Sequence, residues 1–143
     1  MYFWDQHKTI TLYYEILTAS TCDKYNLKKM EYDILMFLHH NPEYNTASDI
    51  VRIRKSTKSH VSTALKVLED RGYITKKTNE KNKKRIELFL EDSADEIVKE
   101  GLNVQNQFAH DMLQGLTKDE IIVCKKVFEK ICRNAEECIQ KKG

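Results

Sequence analysis

Apolar residues repeat at helical spacing along almost the whole of this chain, and at strand spacing in one stretch only, residues 73–90. There Ile86, Leu88 and Leu90 alternate with Arg85, Glu87 and Phe89. Residues 73–78 before them are rich in strand formers, and Asn79-Glu80-Lys81-Asn82 between the two runs is turn-like. One antiparallel hairpin among helices leaves no material for a sandwich, a barrel or a parallel sheet. Composition agrees, because one proline and four glycines in 143 residues are few breakers for a chain well stocked with helix formers. The length is that of one ordinary domain, long enough to build a core without metal or disulfide staples. No run approaches the roughly 18 apolar residues of a membrane span, and Met1-Tyr2-Phe3-Trp4-Asp5-Gln6 is not a basic region leading into an apolar one. The expectation is a cytoplasmic protein with no membrane partner.

The helices announce themselves through periodicity and caps. Trp4, Ile10, Tyr13, Tyr14 and Leu17 form a first amphipathic pattern. Leu27, Met30, Ile34, Leu35 and Leu38 form a second, which must stop by Asn41 because Pro42 disfavours helical geometry in its predecessor. Thr46-Ala47-Ser48-Asp49 has the capping-box pattern and leads into Ile50, Val51 and Ile53. Ser56-Thr57 offers the next cap, followed by Val61, Ala64, Leu65 and Leu68 on one face and by Gly72 as a left-handed stop. Beyond the hairpin, Ser93-Ala94-Asp95-Glu96 reads as a capping box ahead of Ile97, Val104, Phe108 and Met112. After Gly115, Thr117-Lys118-Asp119-Glu120 caps a last helix with Ile121, Ile122, Phe128, Ile131, Ala135 and Ile139 on its apolar side. The predicted fold is mainly α with a small β-hairpin wing. It is one domain over residues 1–143, with an N-terminal dimerisation arm at 1–22, a winged helix-turn-helix lobe at 27–90 and C-terminal dimerisation helices at 93–141.

Charge is unevenly distributed over that framework. Residues 1–45 carry four basic and six acidic side chains, residues 46–90 twelve and five, and residues 91–143 eight and eleven. The formal net charge of +2 is therefore a cancellation of +7 in the middle against −5 in the flanks, and a basic middle calls for an anionic partner. Two short helices joined by about four residues, the second polar and basic in its first half, outline a helix-turn-helix, and a basic hairpin directly after it makes a winged one. In that geometry the second helix enters the major groove of double-stranded DNA and its first side chains reach base edges. Those side chains are Ser56, Thr57, Lys58, Ser59, His60, Thr63 and Lys66. The wing holds Lys76, Lys77, Lys81, Lys83, Lys84 and Arg85 against the single acid Glu80 within ten residues; Lys81, Lys83, Lys84 and Arg85 at and beyond its tip are placed for phosphate contact.

The flanking helices carry more apolar surface than one small module can cover, notably Tyr2, Phe3, Trp4, Tyr13 and Tyr14 at one end and Ile131 and Ile139 at the other. Homodimerisation through both ends would bury it and set two recognition helices about 34 Å apart on a palindromic operator. Cys22, Cys124, Cys132 and Cys138 form no C-x-x-C pair, and Cys124 and Cys132 are expected as small buried hydrophobes on the last helix. His39, His40 and His110 with Cys22 do not make a convincing zinc site, because adjacent histidines leave a helix on different faces. No cofactor or metal is called for. A glycine-rich phosphate loop, a nucleophile elbow and a His–acid pair at catalytic spacing are all missing, so the chain does not read as an enzyme. The competing readings are a winged-helix module that docks an acidic protein without DNA specificity, and a redox- or zinc-responsive regulator of the same fold.

The chain resembles MarR-type winged helix-turn-helix transcriptional regulators over nearly its full length. The resemblance lies in Leu27-Lys28-Lys29-Met30-Glu31-Tyr32-Asp33-Ile34-Leu35, in Thr46-Ala47-Ser48-Asp49-Ile50-Val51, in the run from Lys58-Ser59-His60-Val61 through Glu69-Asp70-Arg71-Gly72-Tyr73-Ile74, and in Leu116-Thr117-Lys118-Asp119-Glu120. It implies a homodimeric repressor with interlocked terminal helices and a pocket for a small aromatic effector that relieves repression. Two departures stand out. The family's wing carries an Asp-x-Arg pattern where this chain has Asn82-Lys83-Lys84 followed by Arg85, and Ala94 stands near the place of a glycine usual after the wing.

Overall fold

The computed structural model describes all 143 residues as six helices and one two-stranded antiparallel sheet. After a single 3-10 turn at Phe3–Gln6 come α1 (His7–Tyr25), α2 (Lys29–His40), α3 (Ala47–Arg54) and α4 (Lys58–Asp70). Strands β1 (Ile74–Thr78) and β2 (Ile86–Leu90) follow, then a 3-10 turn at Asp92–Ala94, α5 (Asp95–Met112) and α6 (Lys118–Lys142). This is the expected order of elements. The chain divides into two compact units, residues 1–106 and 107–143. No helix is long and apolar enough to cross a membrane.

In the first unit the core is organised on α2, whose Tyr32, Ile34, Leu35, Met36, Phe37 and Leu38 are all buried. Against it pack Ile50 of α3, Val61, Ala64, Leu65 and Leu68 of α4, Ile74 and Leu88 of the sheet, and Ile97 and Val98 of α5. The acid Glu31 is buried as well, turned back so that its Oε1 accepts the Lys28 amide at 3.0 Å and closes the first turn of α2. Burial first, then the adjacent Tyr14 hydroxyl, pushes the Tyr32 phenol far above its ordinary range. Strand pairing runs Ile74 opposite Leu90 through Thr78 opposite Ile86, which turns Ile74 and Leu88 inward together.

Local signals that form helix ends are mostly where the residues put them. Thr46 caps α3 with a full box: its hydroxyl accepts the Asp49 amide at 3.1 Å, and Asp49 Oδ2 accepts the Thr46 amide at 3.3 Å. Gly72 takes φ +77° after α4, and the Gly72 and Tyr73 amides return to Glu69 and Leu68 carbonyls at 3.0 and 2.9 Å. Ser93 behaves otherwise. It caps nothing; its hydroxyl donates to the Gly72 carbonyl at 2.6 Å, fastening the entrance of α5 to the turn that ends α4, and a 3-10 turn takes the place of the expected box. In α1 the buried face belongs to Thr18 and Thr21, while Tyr13, Tyr14 and Leu17 are half-buried and Ile10 exposed; Trp4, in the 3-10 turn before it, is exposed as well. The aromatic pattern in the sequence therefore marks the outside of this helix as much as its inside.

In the second unit, Gly115 takes φ +80° in the turn after α5, and Thr117 and Glu120 exchange hydrogen bonds of 3.1 and 2.9 Å as a capping box for α6. No residue of α6 is buried, and Ile122, Val123, Val127, Phe128, Ile131 and Ile139 all lie open to solvent. Cys124, Cys132 and Cys138 are exposed too, which corrects the expectation of buried thiols: the face they share has nothing against it within the chain.

One close approach sets the spacing of α2 and α5. A methyl group at Gly101 would overlap the Met36 sulfur and lie 2.9 Å from Met36 Cε and 3.1 Å from the Tyr32 hydroxyl. Gly101→Ala should therefore cost about 1 to 3 kcal/mol of overpacking strain in denaturant unfolding. A midpoint equal to that of the parent would show that α5 yields freely there.

Candidate nucleic-acid interface

The turn before α4, the outward face of α4 as far as Lys66, and the wing carry the side chains picked out from sequence. Val61, Ala64, Leu65 and Leu68 fix the inner face of α4, so Lys58, Ser59, His60, Thr63 and Lys66 stand outward, and Ser59, Thr63 and Lys66 share one stripe at i, i+4, i+7. Thr57 is the cap residue of α4, its hydroxyl accepting the His60 amide at 3.3 Å. Ser56 is half-buried, with Oγ 3.5 Å from the Arg54 carbonyl. Of the pair, Thr57 shapes the helix start and Ser56 the turn before it.

The wing is built by asparagines. Asn79 Oδ1 accepts the Lys81 and Asn82 amides, each at 2.9 Å, and Asn82 Oδ1 accepts the Lys84 amide at 3.1 Å. These side chain to main chain bonds fold the tip without glycine and hold Lys81, Lys83 and Lys84 exposed. Arg85 lies apart from them. Its guanidinium turns back to the base of the wing, with Nε 3.4 Å from Glu87 Oε2 and Nη2 3.4 Å from Asn45 Oδ1, and it is only half-exposed.

Ion pairing thins the positive charge of the lobe. Arg54 pairs with Asp33 at 3.1 Å, Arg52 with Asp49 at 3.1 Å, Lys76 with Glu69 at 3.5 Å and Lys66 with Asp70 at 3.7 Å. Arg71 donates to the Tyr25 and Asn26 carbonyls that end α1. Desolvation opposes ionisation of Asp49, but the Thr46 hydroxyl and the Arg52 guanidinium outweigh it and hold this carboxyl below the usual carboxylate range. Lys58, Lys81, Lys83 and Lys84 pair with no acid, and Lys77 lies 5.4 Å above the Phe89 ring.

Two clefts show how these groups sit. One of about 450 Å³ lies between the start of α3 (Thr46, Ala47, Ser48, Asp49) and the wing residues Asn82, Lys84, Arg85 and Ile86. The other, about 250 Å³, is lined by Ala47, Ser48 and Val51 of α3 and by Lys58 and Ser62 of α4. Ala47 and Ser48 border both, so the beginning of α3 stands between the start of α4 and the wing, with a lysine free of acids on either side. Ser48 and Ser62, both exposed, belong to this surface, though their small hydroxyls carry no distinguishing signal in the sequence. His40 is occupied elsewhere, its Nε2 2.7 Å from Gln105 Oε1, and no three His, Cys, Asp or Glu side chains gather as a metal site.

The model of the MarR family matches residues 25–85, which contain α2, α3, α4, β1 and the whole wing loop but not β2. Among solved structures, a MarR family transcriptional regulator from Listeria monocytogenes complexed with a 26mer DNA is 23% identical, with a TM-score of 0.85 over 100% of this chain and 96% of that one. The transcriptional regulator SlyA is 17% identical, with a TM-score of 0.82 over 96% of each chain. The S. aureus MepR–DNA complex is 16% identical, with a TM-score of 0.80 over 94% of this chain and 96% of the other. These likenesses are of fold, that of the MarR-type winged helix. No curated protein matches the sequence.

Thr57→Ala removes the acceptor that closes the first turn of α4 and should lower stability by about 1 kcal/mol in denaturant unfolding, with Thr57→Ser restoring most of the loss. Equal midpoints for all three proteins would deny the hydroxyl its capping role.

Proposed function

We propose that this chain, whose helix-turn-helix lobe is of the MarR type, is a sequence-specific DNA-binding transcriptional regulator of the cytoplasm, a homodimeric repressor on a palindromic operator. The observation that carries the reading is the placement of Lys58 and Lys84 on either side of the start of α3, beside the outward stripe of α4. In this reading α4 lies in the major groove, and Lys58, Ser59, His60 and Thr63 face base edges, with Lys66 toward the backbone. Lys can donate to guanine O6 or N7, and the Thr methyl can touch that of thymine. Lys81, Lys83 and Lys84 meet phosphates. The open apolar residues of α6 and of the N-terminal segment, where Tyr2, Phe3 and Trp4 are each more than half exposed, support a dimer that covers them. Release by a small aromatic effector rests on the family resemblance.

The experiment that tests this reading is selection of binding sites from a random duplex pool by the full chain, which should enrich an inverted repeat. Enrichment of no motif would favour a module that docks an acidic protein. On the enriched site, six phosphates neutralised per dimer would give log K against log salt a slope near −5, and a flat dependence would remove DNA from the reading. Lys58→Ala should cost about 1 to 3 kcal/mol on that site and relax its sequence preference, whereas Lys83→Ala with Lys84→Ala should weaken all duplexes alike and flatten the slope. Phe128→Glu with Ile131→Glu should sediment as a monomer where the parent sediments as a dimer. An unchanged dimer would take α6 out of the interface.

A further inference from the structure

Glu87 is an acid in the middle of the wing whose surroundings are basic, and on electrostatic grounds alone it weakens any contact of this surface with a polyanion. Its two oxygens are both engaged. Oε2 faces Arg85 Nε at 3.4 Å, and Oε1 accepts Asn79 Nδ2 at 2.9 Å. Asn79 in turn holds the Lys81 and Asn82 amides, and Asn82 holds that of Lys84. In the other direction Arg85 reaches Asn45, which is buried, exchanges bonds with Leu88 of β2 (Leu88 amide to Asn45 carbonyl 2.8 Å, Asn45 Nδ2 to Leu88 carbonyl 3.3 Å), and directly precedes the cap of α3. The bonds are continuous from the entrance of the helix-turn-helix to the tip of the wing.

We infer that Glu87 and Arg85 are positioning residues that fix the wing tip relative to α3, so that Arg85 serves the interface from the base of the wing and Lys84 is the cation presented beside the start of α3. The inference rests on the DNA-binding reading above and assigns to this pair a role that neither composition nor charge density would predict. Its consequence runs against simple electrostatics. Removing an acid from a basic surface should strengthen binding of a polyanion, but removing Glu87 should weaken it: the backbone bonds from Asn79 to Arg85 (2.8 Å) and from Arg85 to Asn82 (2.9 Å) remain, while the side chains of Asn79 and Arg85 lose the acceptor that holds them in place.

The test pairs Glu87→Ala with Glu80→Gln, since Glu80 is exposed in the same wing and makes no hydrogen bond or ion pair. On a mixed-sequence duplex at low salt, Glu80→Gln should bind roughly two-fold tighter than the parent and Glu87→Ala roughly three-fold weaker or more. Amide hydrogen exchange of the free proteins gives a second reading: Lys81, Asn82 and Lys84 should exchange faster in Glu87→Ala, stay protected in Glu80→Gln, and regain protection in Glu87→Gln, which keeps an acceptor for Asn79. Tighter binding by Glu87→Ala, or unchanged exchange at those three amides, would overturn the inference. A parent protein that fails to bind the duplex would sink the DNA reading, and with it the purpose of the link, while exchange would still report separately whether the link exists.

Discussion

Helix α2 has almost no solvent side, and the rest of the first unit is arranged to cover it. Of the seven positions from Tyr32 to Leu38, all but Asp33 are buried large apolar residues, each contributing about 1.5 to 3 kcal/mol as an upper range, so no neighbour can withdraw without exposing them. Helix α4, the sheet and the first part of α5 each lend a short apolar stripe to this task and are free to carry polar or charged groups on their other sides. The outward face of α4 is therefore a by-product of its inward one. Gly101 shows how closely the covering is drawn, because α5 comes near enough to Met36 and Tyr32 to exclude a methyl group.

Signals that act within a turn of helix were legible in the sequence because their energy is local. The Thr46 and Thr117 boxes, the Thr57 cap and the left-handed stop at Gly72 need only residues three or four apart, and all form. Ser93 carries the same local pattern but is drawn off by the Gly72 carbonyl 21 residues away, a partner no window of sequence contains. Asn45 looks like an ordinary loop residue until β2 lies beside it. In α1, periodicity favoured the large aromatics, yet the space offered by the fold suits Thr18 and Thr21. The thiols of α6 differ from expectation for a related reason: an apolar stripe does not fix what lies against it, and within this chain nothing buries Cys124 or Cys132.

Charge was legible as a total and misleading residue by residue. Of the cations in the central third, those on α3 and on the inner side of the sheet are held by Asp33, Asp49 and Glu69, and Arg71 serves as a cap for the end of α1. Such pairs are worth little to stability at the surface, about 0 to 1 kcal/mol each. Their effect on the field is larger, since they leave the cations without an acid at Lys58, at Lys77 on the sheet and at the wing tip. A residue count would spread the same charge over the whole lobe.

Arg71, Gly72 and Tyr73 are all that separate the end of α4 from β1, and the turn they make is braced from a third side by Ser93. A joint so short and so tied has no hinge. Helix and wing must travel as one piece, and the span between them acts as a ruler cut to a single length. With only three residues between Asp70 and Ile74, and their turn tied on both sides, a difference in reach falls first to the long side chains at the wing tip.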